Sequence, residues 1–331
     1  MPPSKGELAL IADIGGTNAR FALTDLAAAD VAIIEPRALA GENFASLQHA
    51  AEHYLAEVGV KPRRAALAVA SPVDQDEIRL TNRAWSFSRA ELQRTLGLDE
   101  LHMLNDFGAV AWAIPALGAE DRVPLYGPNP APASGPVSVI GPGTGLGVGL
   151  LIGSPERGWQ AVETEGGHVT FAPIGDEEHR IARWLEARFG RPSTERVLSG
   201  DGLAHIHAAL RGTEGGPRDG RSVPLRDPAE IVAAALDGHD IDARRALARF
   251  CSVLGSVAGD AALIHGARRV VIAGGIVPRF IPFLRSSAFR ERFLAKGRFS
   301  TWLEAVTVEI IVHANPGLLG AAVALHQTCR G

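Results

Sequence analysis

The order of predicted strands and glycine turns repeats in the two halves of the chain, and this repeat constrains the fold more than any other feature. Each half begins with two apolar runs joined by a glycine-rich turn, followed by a third short apolar run. These predicted strands are 8–13, 20–26 and 32–39 in the first half, and 137–141, 148–152 and 160–164 in the second. Helices and strands alternate after each group, so the sequence predicts an α/β protein with mixed sheets and helices on their faces.

Residue patterns in the rest of the chain predict further helices and strands and two loops. Asn43 is predicted to cap the first helix, and apolar residues at steps of three and four over 242–265 are typical of a core helix. Segments 126–136 and 211–228 are rich in Gly, Pro and polar residues, which predicts surface loops. Further predicted elements are strands 65–70, 101–105, 269–274 and 306–312, and helices that begin near Ser88, Phe107, Pro278 and Pro316.

The first glycine turn, Asp13-Ile14-Gly15-Gly16-Thr17-Asn18, contains residue types suited to binding phosphate. Glycines let the backbone turn sharply and bring N–H groups close to phosphate oxygens. The Thr17 hydroxyl can add a hydrogen bond, and the Asp13 carboxylate can hold hydrated Mg²⁺. Gly, Asn and Asp are also common in ordinary hairpin turns, so this turn alone leaves both interpretations open.

The second turn, Gly141-Pro142-Gly143-Thr144-Gly145-Leu146-Gly147, repeats the Gly-Thr pairing between strands. It is not a dinucleotide-binding GxGxxG turn, since Leu146 stands where the third glycine should be, and the chain has no GxxxxGK[ST] sequence. The HRD triplet of protein kinases is also absent. Backbone N–H groups, Thr hydroxyls and Mg²⁺ would therefore have to hold phosphates. A third glycine pair, Gly274-Gly275, could let a base or ribose approach, although a plain strand-to-helix turn is the simpler interpretation of it alone.

Two acidic segments are candidates for sugar chemistry. Asp106 stands where a predicted strand ends and a helix begins, the place where ligands bind in open α/β sheets. It could accept a proton from an attacking hydroxyl, although helix capping alone would account for it. Glu163-Thr164-Glu165-Gly166-Gly167-His168 combines carboxylates with an imidazole, which suits recognition of sugar hydroxyls. Glu195 is a further acid at a predicted helix start, where a first-turn Glu is common anyway.

Composition excludes several classes of protein. With 331 residues, 46% apolar and 21% charged, the chain is expected to form two globular domains. A formal charge of −4 gives no reason to expect nucleic acid as a partner. Two lone cysteines, Cys251 and Cys329, make neither a disulfide framework nor a CxxC metal site. We found no signal peptide and no run of about 20 apolar residues, so we expect a cytoplasmic protein without a membrane partner.

The glycine turns, the acidic segments and their flanking residues together resemble the bacterial glucokinase family, in the branch whose members bind no zinc. The resemblance covers residues 10–325. The segments that carry it, in the family's order, are DIGGTNARFAL, TNRAWSF, LNDFGAVAWAIPAL, GPGTGLGVG, EGGHVTFAP, ERVLSGDGL, AGGIVPRF and IVHANPGLLGAA. The resemblance implies a duplicated actin-like ATPase (ribonuclease H-like) fold, with mixed five-stranded sheets flanked by helices and two domains around a cleft. The small domain would comprise 1–116 plus 312–331, and the large domain 117–311.

The resemblance also implies an activity: ATP-dependent phosphorylation of D-glucose to glucose 6-phosphate, the first step of glycolysis, by a cytoplasmic homodimer that uses Mg²⁺. Asp106 would be the catalytic base, and Asp13 would position the metal. The implied sugar-binding residues are Asn105, Asp106, Glu165, His168 and Glu195. The implied ATP-binding residues are Ala12, Asp13, Ile14, Gly15, Gly16, Thr17, Asn18, Gly143, Thr144, Gly145, Gly274 and Gly275.

Two alternatives stay open. The substrate could be fructose, mannose or an amino sugar, since one sequence does not give the geometry of the pocket acids. A sugar-sensing regulator without catalysis would need a further binding module, and no helix-turn-helix sequence precedes Leu8. The chain departs from the family pattern at Pro142, where a small residue is usual, and at Thr170, where Asp is common. It also lacks the zinc-binding cysteine cluster of the related repressor–kinase family.

Overall fold

The repeated order of elements produces one large sheet in each half of the chain. The computed structural model describes residues 6–80, 85–211 and 224–330. Its strands are β1 (Leu8–Ile14), β2 (Asn18–Asp25), β3 (Ile34–Ala40), β4 (Arg64–Val69), β5 (Glu77–Arg79), β6 (Ser86–Ser88), β7 (Glu100–Asn105), β8 (Arg122–Tyr126), β9 (Val137–Pro142), β10 (Leu146–Ser154), β11 (Gly158–Thr164), β12 (Arg269–Ile272) and β13 (Thr307–Ile311). Its α-helices are α1 (Leu47–Val58), α2 (Arg89–Thr95), α3 (Asp106–Ala113), α4 (Gly175–Phe189), α5 (Gly200–Leu210), α6 (Pro228–Asp237), α7 (Ile241–His265), α8 (Ile281–Ser286), α9 (Phe289–Leu294), α10 (Ser300–Glu304) and α11 (Pro316–Arg330).

The chain divides into two compact units, neither of which is one continuous stretch. The first unit comprises Met1–Asp121, Leu151–Glu163 and His313–Gly331. The second comprises Arg122–Leu150 and Thr164–Val312.

The first unit is built on a five-stranded sheet in the order β3-β2-β1-β4-β7. β2 runs antiparallel to β1, whereas β4 and β7 are parallel to it. Both faces of β1 are buried: Leu10 belongs to one apolar cluster, and Ile11 packs in another with Leu318 and Leu325 of α11. α11 also lies directly on α3, since a Cβ at Gly320 would be 1.6 Å from the carbonyl oxygen of Ala109. The C-terminal helix is therefore part of this unit's core.

The order of the second sheet is β11-β10-β9-β12-β13-β8. Strands β8, β9, β12 and β13 and residues 146–150 of β10 belong to the second unit, which is packed around α7. Asp240 caps α7, since its side chain accepts a hydrogen bond from Ala243 N, and Gly266 ends it in the left-handed conformation. By length and composition alone α7 could cross a membrane, but 67% of its apolar window is buried inside the protein, as in a core helix. The predicted apolar stripe, including Phe250 and Leu254, lies in the core.

Two details differ from the sequence predictions. Ser46 rather than Asn43 caps α1, because residues 41–43 form a 3₁₀ turn and the Ser46 hydroxyl accepts from His49 N at 3.2 Å. The second sheet has six strands rather than five, since β8 joins its edge beside β13. β8 contains Pro124, which an edge strand tolerates because no neighbour requires its missing N–H.

Parts of two predicted segments lie outside the described residues. These are 81–84 of the TNRAWSF segment and 212–223 of the predicted loop 211–228.

Candidate active site

The first glycine turn joins β1 to β2 and is closed by its own backbone. Gly15 N donates to Asn18 O at 3.0 Å, and Gly41 N donates to Thr17 O at 3.1 Å. Gly16 and Thr17 are exposed. The turn is thus held by its ends while its middle faces outward, as a turn that binds phosphate through the backbone requires.

Asp13 stands at the last-but-one position of β1, opposite Arg20. An Arg20 Nη1 lies 3.7 Å from Asp13 Oδ2, and the Asp13 side chain is 21% exposed. A Cβ at Gly317, in the first turn of α11, would lie 2.9 Å from the same oxygen, so the carboxylate packs against a helix N-terminus. Burial raises the pKa of Asp13, and the charge of Arg20 opposes that shift.

The donor set around Asp13 fits magnesium better than a protein-built metal cage. Among the described residues, no group of three or more His, Cys, Asp or Glu side chains is placed to hold a metal. Mg²⁺ is commonly held by one or two carboxylates, with water and substrate phosphates completing its shell. The single, partly exposed carboxylate of Asp13 beside the first glycine turn matches that pattern.

Asn105 and Asp106 lie where β7 ends and α3 begins. Asn105 caps α3, since its Oδ1 accepts from Phe107 N at 2.9 Å and from Gly108 N at 3.3 Å. Asp106 Oδ1 also accepts from Phe107 N, at 2.8 Å. The capping position therefore belongs to Asn105, and Asp106 is the first residue of the helix. The letters DFG at 106–108 coincide with a protein-kinase triplet, but here they open a helix.

The turn after β1 and the start of α3 lie at the same edge of the first sheet. Ile14 pairs with Val69 of β4, and Val69 pairs with Asn105 of β7. These strands are parallel, so their carboxyl ends coincide, and two strand spacings put the ends of β1 and β7 about 10 Å apart. The structure thus brings the Asp13–Asn18 turn and Asp106 to one edge.

Glu163, which the sequence analysis did not assign, lies against the start of α3. Its Oε1 accepts from Asn105 N at 2.8 Å. A Cβ at Gly108 would lie 2.7 Å from that oxygen, so the side chain crosses the first turn of the helix. Its only sequence signal was its place within the acidic segment 163–168, which gives no indication of this contact.

The second glycine turn joins β9 to β10 in the second unit. Gly143 N donates to Gly145 O at 2.8 Å, and Gly200 N donates to Gly143 O at 2.9 Å. Thr144, at the tip of the turn, is exposed. This turn is therefore also closed by backbone bonds with its middle facing outward.

Glu195 joins the second turn to the 163–168 segment. Its Oε2 accepts from Leu146 N at 2.9 Å, and its own N–H donates to Gly167 O at 2.9 Å. Gly167 in turn packs so closely that a Cβ there would lie 2.1 Å from Leu146 O. Three segments that are distant in the sequence are therefore in direct contact here.

Glu165 precedes the 3₁₀ turn Gly166–His168, His168 ends it, and both residues are exposed. The His168 Nε2 and Glu165 Oε2 atoms are 3.8 Å apart. Arg191, which the sequence analysis missed, donates from Nη1 to His168 O at 2.9 Å and so holds the backbone of this turn. The second unit therefore presents two carboxylates and an imidazole beside the second glycine turn.

The third glycine pair follows β12 and lies beside the second turn. Gly274 has φ +86°, and a Cβ there would be 2.2 Å from Pro142 O, so this position requires glycine. Gly275 is exposed, and among the described residues no atom beyond its own chain neighbours lies within 4 Å of where its Cβ would stand. The structure thus places Gly274 against the end of β9 and leaves Gly275 exposed beside it.

Comparisons with known proteins agree over nearly the whole chain. A family model described as Glucokinase matches residues 10–328. A glucokinase of Klebsiella pneumoniae (strain 342) is 42% identical over 323 residues, which is 97% of this chain and 98% of that protein. A solved glucokinase structure from an Antarctic psychrotroph has a TM-score of 0.85 and 36% identity, and the match covers 97% of this chain and 99% of the other.

One further solved structure shows the same fold at lower identity. It is a ROK family glucokinase from Streptomyces griseus in complex with glucose and AMPPNP, with a TM-score of 0.65 and 22% identity. The match covers 97% of this chain and 99% of the other.

Proposed function

The chain belongs to the glucokinase family, and we propose that Asp106 is the general base of the reaction this family catalyses. The enzyme phosphorylates D-glucose with ATP, which yields glucose 6-phosphate and ADP. The actin-like α/β fold and the family membership expected from the sequence are both confirmed. The observation that best supports the role of Asp106 is its place at the carboxyl edge of β7, with Asn105 rather than Asp106 serving as the helix cap.

In the proposed mechanism, an Asp106 oxygen takes the proton of the glucose 6-hydroxyl. The hydroxyl oxygen then bonds to the γ-phosphorus of ATP as the bond to the β,γ-bridging oxygen breaks, and ADP leaves. In phosphoryl transfer the protein supplies mainly positioning and charge stabilisation. A base fixed at a helix start, beside a turn that holds phosphate, meets both requirements.

We propose that Asn105, Asp106, Glu165, His168 and Glu195 bind the sugar. Carboxylates accept hydrogen bonds from neighbouring hydroxyl pairs, and an imidazole can donate or accept. The exposure of Glu165 and His168 supports this role, since it leaves both side chains accessible to a ligand.

We propose that ATP is held by the three glycine turns, at 12–18, 143–145 and 274–275. Backbone N–H groups and the hydroxyls of Thr17 and Thr144 would bind its phosphates, and the pair Gly274-Gly275 would face its adenosine part. Asp13 would hold Mg²⁺, which when bound offsets the charge of the β- and γ-phosphates. The complex of the Streptomyces griseus relative with glucose and AMPPNP supports this pair of ligands.

We further propose that the two units correspond to the small and large domains of the family, and that the enzyme is a cytoplasmic homodimer. Sedimentation of the purified protein at several concentrations measures its mass in solution. A sedimenting species with the mass of one 34.9 kDa chain at all concentrations would contradict the homodimer.

The decisive experiment for the catalytic assignment is ADP release measured over a panel of hexoses, with and without Mg²⁺, for wild type and Asp106→Asn. Asparagine cannot take the proton, so we expect kcat with glucose to fall about 10³-fold or more while glucose still binds. Near-normal kcat in that variant would exclude Asp106 as the base. If another hexose gave a higher kcat/KM than glucose, that hexose would be the preferred substrate of this kinase.

A further inference from the structure

We propose that Glu163 is a positioning residue for Asp106: its carboxylate fixes the backbone that carries the base. This inference rests on the proposed role of Asp106 in glucose phosphorylation. Glu163 lies near the end of β11, 58 residues from Asn105 in sequence, and it is outside the set of residues that the family resemblance assigns to the site.

The first contact is made at the cap of α3. Glu163 Oε1 accepts the N–H of Asn105 at 2.8 Å, and Asn105 directly precedes Asp106. Amides at a helix start have no intrahelical acceptor, and the positive end of the helix dipole favours a carboxylate there. Glu163 therefore restrains the peptide unit that leads into the base.

The second contact is made at Gly108, one helical position beyond Phe107. A Cβ at Gly108 would lie 2.7 Å from Glu163 Oε1 and 2.8 Å from its Cγ, which is closer than side-chain atoms approach. Because only glycine leaves this space, the Glu163 side chain can lie across the helix start. Gly108 thus offers a way to displace Glu163 without altering Glu163, Asn105 or Asp106.

These contacts act on the same helix start as the hydrogen bonds of Asn105 and Asp106. Phe107 N bonds to the side chains of Asn105 and Asp106, which orients the Asp106 carboxylate from within the helix. Glu163 restrains the same residues from the outside, through Asn105 N. A shift of about 1 Å in a reacting group can cost up to about 100-fold in rate, so loss of this restraint should affect kcat more than binding.

The test compares four variants in the full-length enzyme: Glu163→Ala, Glu163→Gln, Gly108→Ala and the double variant Glu163→Ala with Gly108→Ala. We expect Glu163→Ala to lower kcat about tenfold and to leave KM for ATP within about twofold. Glutamine keeps a side-chain oxygen that can accept the Asn105 N–H, so Glu163→Gln should restore kcat to within about twofold of wild type.

Gly108→Ala should lower kcat to a similar extent, because its methyl group displaces Glu163. If both changes act through one contact, the double variant should lose no more than Glu163→Ala alone. A matched control is Asp121→Ala, which removes a carboxylate that accepts a backbone N–H, from Gly118 at 2.9 Å, elsewhere in the same unit. It should keep wild-type kcat.

Three results would overturn the proposal: wild-type kcat in Glu163→Ala, a Glu163→Gln variant as slow as the alanine variant, or losses that multiply in the double variant. Melting temperatures of all variants identify any loss of kcat that comes from unfolding. Asp106→Asn, measured alongside, separates this proposal from the assignment of the base. An active Asp106→Asn would refute the base itself, whereas an inactive Asp106→Asn with a fully active Glu163→Ala would refute only the role of Glu163.

Discussion

The two glycine turns, one in each unit, are both closed by a backbone hydrogen bond across the turn but obtain their carboxylates differently. Each is closed by a short bond across the turn, Gly15 N to Asn18 O in the first and Gly143 N to Gly145 O in the second. The first turn is preceded by its own acid, Asp13, on the strand that leads into it. The second turn receives the carboxylate of Glu195, 49 residues beyond Leu146.

This difference indicates whether the acid at each turn acts on one substrate or on both. Asp13 lies on the strand that leads into the first turn and, in the proposed mechanism, serves the metal and the phosphates. Glu195 bonds to the second glycine turn through its side chain and to the 163–168 segment through its backbone N–H. A change at Glu195 should therefore affect the use of both substrates, while a change at Asp13 should affect ATP.

The largest expected effect follows from Glu195→Ala, which removes a proposed sugar ligand and the acceptor of Leu146 N together. We expect kcat/KM for glucose to fall about 10³-fold, because polar groups built to bind the substrate lose their partners. KM for ATP should also rise. Glu195→Gln is the control, since it retains an acceptor and should leave KM for ATP near the wild-type value. Steady-state kinetics with each substrate varied would test this, and an unchanged KM for ATP in the alanine variant would remove the coupling.

The next largest effect is expected from Asp13→Ala. Loss of the proposed metal-positioning carboxylate should lower kcat/KM for ATP about 100-fold. Glucose affinity, measured by titration calorimetry without nucleotide, should stay within about twofold of wild type. A weakened affinity for glucose would show that the first turn is coupled to the sugar as well, which would erase the contrast with Glu195.

A smaller effect is expected from adding one methyl group to each turn. A Cβ at Gly145 would lie 2.5 Å from Glu195 Oε2, whereas a Cβ at Gly15 would lie 3.5 Å from its nearest neighbour, Asn18 O. Gly145→Ala should therefore displace Glu195 and weaken glucose binding about tenfold, or about 1.4 kcal/mol. Gly15→Ala should leave glucose binding almost unchanged. Equal glucose affinities in the two variants, measured by calorimetry, would argue against a role of Glu195 in sugar binding.

The smallest effect concerns stability and pH. Burial raises the pKa of Asp13, so the folded state binds this proton more tightly than the unfolded chain does. Ionised Asp13 therefore costs stability above the raised pKa, and the cost vanishes below the ordinary Asp pKa, where both states are protonated. We expect Asp13→Asn to melt slightly higher than wild type at neutral pH, with the difference closing in acid. A melting difference that does not depend on pH would show that the charge of Asp13 is not the cause.

Several sequence predictions followed directly from local patterns. The strands on either side of both glycine turns lie where alternating or continuous apolar runs predicted them. Helix α7 lies where apolar residues at steps of three and four predicted a core helix. The cap of α1 was placed wrongly at Asn43, because Asn43 and Ser46 are both good caps and only the observed 3₁₀ turn distinguishes them. β8 was missed because Pro124 lowers the strand signal, and the edge position that accommodates it depends on the completed sheet.

The sequence by itself determined the family, the repeated order of elements, the two glycine turns and the position of Asp106 after a strand. These features are local, since they depend on residue types a few positions apart. Only the tertiary structure decided which carboxylate meets which backbone N–H: Glu195 with Leu146, and Glu163 with Asn105. Any accessible carboxylate can accept a hydrogen bond from a backbone N–H, so no spacing in the sequence selects the partner. The path of the chain through the fold determines which carboxylate reaches which N–H.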